Sequence, residues 1–459
     1  MLADSDKETI SVCSRDFENP GAMDRWIRRY LEWKRREGPV VFLDSQLDGH
    51  AASGRGYIAA HPVTMIRARV SDDREENSWD ALKAFRSAHP DWMFGWFGYD
   101  MKNDTETLTS GHPDPVGLPD LFFFVPAVVL SVDRKKCRLE VLKGDPSELA
   151  TEQPEFEGAS TRMESACANE VLQGILDETT EKQPLAIGPL VSGDGWESYR
   201  EKVLRIKQWI TEGETYEVNL THQLQTGCRG DSLDLFEAMR ESGPVPFGAW
   251  IHYDDVAICC ASPERFLQYR DGKVRSQPIK GTSPRGSSEE EDERIVTEIL
   301  GKEKNRAENV MIVDLVRHDL GRIAETGSVR TESLLEVQTF STVHQLVSTI
   351  TAKPASGITP VDMIKACFPM GSMTGAPKVR TMEIIEELES YRRGIYSGAI
   401  GYFTPDGNFD FNVVIRTAIM KQNRLYYSVG GAITADSDPG EEWEETWLKA
   451  KALTRPLGR

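Results

Sequence analysis

Two Asp-Gly pairs, Asp271-Gly272 and Asp406-Gly407, constrain this chain more than any other feature. The first lies between strand-patterned runs at 264–269 and 273–276. Asp-Gly suits the two positive φ angles of a tight hairpin turn, so each pair commits its flanks to antiparallel strands. Helical signals fill the space between the two turns. An acidic first turn opens a helix over 289–300, a second covers 302–316 with Met311, Ile312 and Val313 in the core, and Val379, Met382, Ile385 and Leu388 mark a third entered through Pro377. Strands in pairs with helices between them predict an α+β fold rich in antiparallel sheet. The same reading gives a helix over 23–36, strands at 40–43, 121–132 and 216–224, a helix from Trp196 that stops at Gly213, and a last helix over 440–453.

At 459 residues the chain exceeds the usual single core, so two lobes or one large two-sheet domain are expected. The polar, Pro/Gly-punctuated stretch 144–195, with one helical piece near 165–179, divides an N-terminal lobe, 1–185, from a second domain, 186–459. A net charge of −19 argues against nucleic acid or an anionic membrane as partner. An anionic substrate would then need locally concentrated positive groups or a metal ion. The longest apolar run, 121–130, is about half a membrane span and holds Pro126. The first ten residues carry no apolar signal core, and the seven cysteines include no Cys-x-x-Cys pair. These features predict a soluble, cytoplasmic protein with reduced thiols.

Lys280, just past the second hairpin strand and before a Gly/Pro/Ser loop, is the foremost candidate for chemistry. An amine in a cleft becomes a nucleophile when its surroundings lower its pKa. On the last helix Glu442, Glu445 and Lys449 share one face, and Trp443 and Trp447 another. Spacing alone leaves two readings open there: a solvated acidic helix with a Glu445–Lys449 pair, or a carboxylate stripe bordering a cleft. Mg²⁺ needs only one or two protein carboxylates, and Glu308 is a candidate distant partner. The Gly-rich segment Phe368 to Lys378 opens onto a helix whose N-terminus favours anions, although it is not a Walker loop. Gly430-Gly431 could bring bare backbone up to a ligand or simply make a bend. Cys228, in a stretch that only superficially resembles a nucleophile elbow, reads as an idle thiol.

Nine segments together resemble the chorismate-utilising enzymes: Glu217-Val-Asn-Leu-Thr221, Ser262-Pro-Glu-Arg-Phe266, Pro278-Ile-Lys-Gly-Thr282, Arg306-Ala-Glu-Asn309, Asp314-Leu-Val-Arg-His-Asp319, the Phe368 to Lys378 loop, Ser397-Gly-Ala-Ile-Gly-Tyr402, Ile415-Arg-Thr417 and Glu442-Trp-Glu-Glu-Thr446. The likeness runs continuously over about 190–455 and only in outline before that. It implies a large two-sheet, mainly antiparallel β-sandwich core flanked by helices, like that of anthranilate synthase component I. Lysine at 280, where anthranilate-forming relatives have alanine, resembles the aminodeoxychorismate-forming branch. There the amine attacks C2 of chorismate and expels the C4 hydroxyl, and ammonia then attacks C4. The resemblance further implies Glu264 as acid, Glu308 and Glu445 as Mg²⁺ ligands with Glu442 as an outer one, and Thr374, Tyr402, Arg416, Gly430, Gly431 and Lys449 as substrate-binding groups.

Three positions depart from the family pattern: Glu217 replaces the usual Gln, Gln345 replaces a His that supports pyruvate elimination, and Ala432 replaces a Gly. Isochorismate-forming relatives carry a Lys base at 217, so its absence argues against water as nucleophile. The resemblance implies ammonia from a separate glutamine amidotransferase subunit in a heterodimer, and a separate aminodeoxychorismate lyase downstream. Some relatives hold tryptophan in an N-terminal pocket, which Ser45, Pro246, Phe247 and Gly248 match weakly. The alternatives are an anthranilate- or amino-deoxyisochorismate-forming enzyme on the same fold, or a non-catalytic scaffold that activates the glutaminase.

Overall fold

The computed structural model describes residues 13–45, 55–70, 77–145, 184–340 and 343–454. The expected Asp-Gly hairpin forms, with Arg265–Arg270 against Lys273–Gln277 and φ of 52° and 74° at Asp271 and Gly272. The second turn is wider. Thr404 to Asn408 joins Ala399–Phe403 to Phe409–Asn412, with Gly407 at φ 89°.

One long ribbon, Gly56–Ala68 paired with Leu121–Asp133, belongs to two antiparallel sheets. Midway along it Pro62 faces Pro126. Neither proline can donate to the ladder, so the register slips beside them, His61 takes φ 55°, and the ribbon bends. Before the bend the Gly56–Ala68 strand pairs with Val40–Asp44, and that sheet continues through Phe247–Tyr253, Val256–Ser262, Thr417–Lys421, Arg424–Ile433 and Glu217–Arg229. Past the bend Leu121–Asp133 pairs with Met93–Phe97. The second sheet then runs through Ala399–Phe403, Phe409–Asn412, Arg265–Arg270 and Lys273–Gln277 to Val343–Ala352, which also holds Ile279–Pro284 and Arg330–Thr339.

The inner faces bury Phe94, Trp96, Phe122 and Phe124 of one sheet against Val41, Ala249, Ile251 and Ile258 of the other. The helices Pro20–Lys34, Ser232–Ser242 and Pro439–Thr454 cover the first sheet, contributing Met23, Trp26, Phe236 and Leu453. Ser78–Ala88, Glu303–Gly321 and Pro360–Cys367 cover the second with Trp79, Ile312, Val316 and Ile364. Strands from before residue 145 sit inside both sheets, Val40–Asp44 beside Phe247–Tyr253 and Met93–Phe97 beside Ala399–Phe403. Most of the stretch expected to part the chain, including the helical piece near 165–179 and Cys167, lies outside the described residues. The acidic helix Glu289–Gly301 buries only Ile299, as a solvated face should.

Candidate active site

Lys280 stands at a break in pairing. The register of Ile279–Pro284 against Val343–Ala352 shifts between Ile279 and Thr282, with Gly281 at φ 86°. Such a bulge turns a side chain out of the ladder, and here it sends Lys280 to Glu217 on the other sheet, Nζ to Oε1 at 2.5 Å. Glu217 is 1% exposed and the Lys280 side chain 10%. Burial works against the Lys280 charge, yet Glu217, Glu308 and Glu264 outweigh it and hold the lysine above its ordinary pKa. The resting group is an ammonium.

The Gly-rich loop runs alongside. Gly375 lies so close to the Glu217 carbonyl that a Cβ there would come within 1.9 Å of it, which explains a glycine in the segment. From the same loop Ser372 donates to Glu264 Oε1 at 2.7 Å. Burial pushes Glu264 up to about 7, with the Ser372 hydrogen bond and the Lys280 charge limiting the rise. Glu264 is thus a carboxyl that holds a proton near neutrality, the property a general acid needs. Ser372 was missed in the sequence, where only its place in the Gly-rich loop hinted at a role.

A second group of charges adjoins the first. Lys304 binds Glu442 Oε1 at 2.7 Å and lies 3.9 Å from Glu308 Oε1. Ser437 also donates to Glu442 Oε1, at 2.6 Å. Burial lifts Glu308 to about 7, and its Oε1 has no hydrogen-bond partner. Lys449 pairs with Glu445 at 2.8 Å and pulls its pKa down, and it donates to the Gly430 carbonyl at 2.7 Å. The bare Cα of Gly431 opens onto Glu442, Glu445 and Lys449. On the last helix the Glu445–Lys449 pair forms half-exposed, as the first reading has it, while Glu442 is buried and Trp443 stacks inward on His222. Gly430 and Gly431 lie inside the strand Arg424–Ile433, opposite Thr221 and Leu220, rather than in a bend after it. Among the described residues no three His, Cys, Asp or Glu side chains are grouped as a ready metal site. Hard carboxylate oxygens, the orphaned Glu308 Oε1 and the Gly431 opening nonetheless fit Mg²⁺ in chemistry.

Residues 38–455 match the sequence model of a family described as chorismate binding enzymes. The chain belongs to that family. It is 41% identical to aminodeoxychorismate synthase of Streptomyces griseus over 425 residues, 89% of this chain and 57% of the relative. It therefore spans just over half the length of that protein. It is 36% identical to aminodeoxychorismate synthase component 1 of Salmonella typhimurium, with 82% of this chain and 80% of the relative covered. The crystal structure of anthranilate synthase component I from Streptococcus pneumoniae TIGR4 superposes with a TM-score of 0.72 at 29% identity, covering 90% of this chain and 94% of that one. The two-sheet α+β architecture expected from the sequence is the family's.

The other candidates of this chorismate-binding family member fall in different places. Burial lowers the pKa of Arg416, which stands at φ 50°, against the opposing charges of Tyr427 and Glu264. Tyr427 is a neighbour that the sequence did not single out. Thr374 is fully buried and donates back to the Met370 carbonyl at 3.2 Å, so its hydroxyl holds the loop together. Tyr402 lies on the strand Ala399–Phe403. Its ring packs on Tyr57, Phe94 and Trp92, because strand pairing with Phe94 sets it in the aromatic cluster between the sheets. Of the residues matched to a tryptophan pocket, Gly248 pairs with Asp44, the neighbour of Ser45, and the Arg265 guanidinium lies 4.9 Å from the Phe247 ring centre. Cys228 is buried at a strand end, as an idle thiol should be. Gln345 is buried with its Oε1 unpartnered, and neighbouring His344 is taken up by Asp292 and Thr339. No described helix is long and apolar enough to cross a membrane.

Proposed function

We propose that this chain converts chorismate and ammonia to 4-amino-4-deoxychorismate, with Lys280 as covalent nucleophile and Glu264 as acid. The carrying observation is the buried Lys280 amine beside a glutamic acid whose pKa is about 7. The Lys280 nitrogen forms a bond to C2, the ring double bonds shift, and the C4–O bond breaks as Glu264 gives its proton to the leaving hydroxyl, which departs as water. Ammonia then bonds to C4 and the C2–N bond breaks, returning Lys280.

Arg416, Lys449 and the Gly430-Gly431 backbone are proposed to hold the substrate carboxylates, and Thr374 to shape the loop over them. Glu308 and Glu445 would hold Mg²⁺, with Glu442 outside them. That ion would supply positive charge against substrate carboxylate and hydroxyl oxygens. Tyr402, given its surroundings, is better assigned to the aromatic cluster than to substrate. Ser45, Pro246, Phe247 and Gly248 are proposed to line a tryptophan pocket. The ammonia would come from a separate glutamine amidotransferase subunit in a heterodimer, and an aminodeoxychorismate lyase would act on the product toward 4-aminobenzoate. The reaction is assigned to the cytoplasm, without membrane or nucleic acid.

Intact mass spectrometry tests the reading. Chorismate and Mg²⁺ without ammonia should leave an adduct on Lys280, and Lys280→Ala should carry none and lose at least about 10³-fold in turnover with ammonium. An adduct persisting in Lys280→Ala, or anthranilate released without added lyase, would overturn it.

A further inference from the structure

Lys280 rests as an ammonium, and an ammonium has no lone pair with which to attack carbon. Its proton must leave before the C2–N bond can form, and the acceptor has to be within reach of Nζ. Glu264 does not suit this task. Ser372 binds it, and it has to keep its own proton for the departing C4 hydroxyl. Glu308 is the group best placed for a cation. What touches Nζ is Glu217 Oε1, at 2.5 Å.

We propose that Glu217 is the catalytic base that takes the proton from Lys280 and returns it when the lysine leaves C2. The inference rests on the reading of Lys280 as nucleophile. Three observations carry it. The contact is direct and both side chains are nearly closed to water, so transfer needs no relay. The second carboxylate oxygen, Oε2, is buried without a hydrogen-bond partner, so among the described residues Lys280 is the side chain that this carboxylate engages. The Glu217 backbone is also fixed: it pairs with Ala376, Gly375 presses against its carbonyl, and Thr215 Oγ1 donates to that carbonyl at 3.2 Å. A base held this way keeps its aim while the charge moves.

The balance is simple. Lys280 ammonium and Glu217 carboxylate become amine and carboxylic acid; the amine bonds to C2 while the C4 hydroxyl leaves with the Glu264 proton. When ammonia bonds to C4 the lysine departs as the amine and takes back the Glu217 proton. Two carboxyls so divide the work, one giving a proton to oxygen and the other receiving one from nitrogen.

The test follows the rate of Lys280 adduct formation with chorismate and Mg²⁺ by quenched-flow intact mass. Wild type is compared with Glu217→Gln and Glu217→Asp between pH 6.5 and 9. Gln keeps the shape and a hydrogen bond but cannot accept the proton. It should slow adduct formation about 10²-fold near pH 7, and the deficit should shrink by up to about tenfold per pH unit as solvent strips the lysine instead. Because the Glu264 limb is common to both proteins, it cancels in this ratio. Asp should recover part of the rate at pH 7 without that pH rescue, and chorismate Kd should stay within about twofold in all three. A Gln variant as fast as wild type or faster at every pH would overturn the inference, leaving Glu217 as a mere holder of charge. A wild-type enzyme that forms no adduct would overturn the reading of Lys280 itself, a result distinct from a loss confined to the variants.

Discussion

Arg393–Glu389 and Lys280–Glu217 are both buried ion pairs beside the strand Glu217–Arg229, and they are satisfied in opposite ways. Arg393 donates to both Glu389 oxygens, to the carbonyls of Met373 and Asn219 and to Ser397. Glu389 further accepts from the backbone and hydroxyl of Thr221. Every strong donor and acceptor there is used, so the network ties the loop that carries Ser372 and Thr374 to the strand that carries Glu217. The Lys280–Glu217 pair makes one hydrogen bond and leaves Glu217 Oε2 unpartnered, as it does Glu308 Oε1 nearby. Burying unpaired polar atoms costs free energy, and a structure that saturates one pair while leaving its neighbour short places that cost where chemistry can use it.

Breaking the saturated pair should have the largest effect on stability. Arg393→Leu strands Glu389 in the core and should cost about 3–5 kcal/mol in urea unfolding. A loss under about 1 kcal/mol would mean that the network does not hold the loop to the strand. Glu264→Gln sharpens the other side. It should slow adduct formation about 10²-fold while leaving the fold intact by circular dichroism.

The same residue gives a pH signature. Its folded pKa of about 7 lies above the ordinary 4.5, so between those values the native state binds more protons than the unfolded chain. Its contribution to stability is therefore present below about pH 4.5 and is lost as pH rises to about 7. Wild type should lose stability relative to Glu264→Gln across that window, measured as urea midpoints at pH 5 and 7. The smallest effect is expected for Gly431→Ala. The added methyl would sit 3.2 Å from Glu442 Oε2 and 3.8 Å from Glu445 Oε1. Mg²⁺ binding by titration calorimetry should weaken about tenfold with little change in thermal stability.

Much of this was legible in the sequence because it is local. The Asp271-Gly272 turn, the helix stop at Gly213 with φ 81° and the stop-start pattern of the helices follow from backbone preferences of neighbouring residues. Lys280 and Glu264 stood out within single motifs. The aromatic setting of Tyr402 and the contact of Ser372 with Glu264 were not legible for the same reason: what a strand or loop residue touches depends on partners more than 100 residues away. Glu217 was visible as an oddity of type but not as the contact of Lys280. The two lie 63 positions apart and meet only because strands from two sheets converge.

The sequence by itself determined the elements, the family and the identity of the lysine, since short-range torsional preferences and side-chain chemistry are written residue by residue. Only the tertiary structure decided which charges share a dry space. That depends on the bend at Pro62 and Pro126 and on the bulge at Gly281, where missing donors and a left-handed backbone redirect whole strands. A pKa is set by that shared space and not by the residue alone, so the ammonium of Lys280 and the held proton of Glu264 appear only once the sheets are assembled.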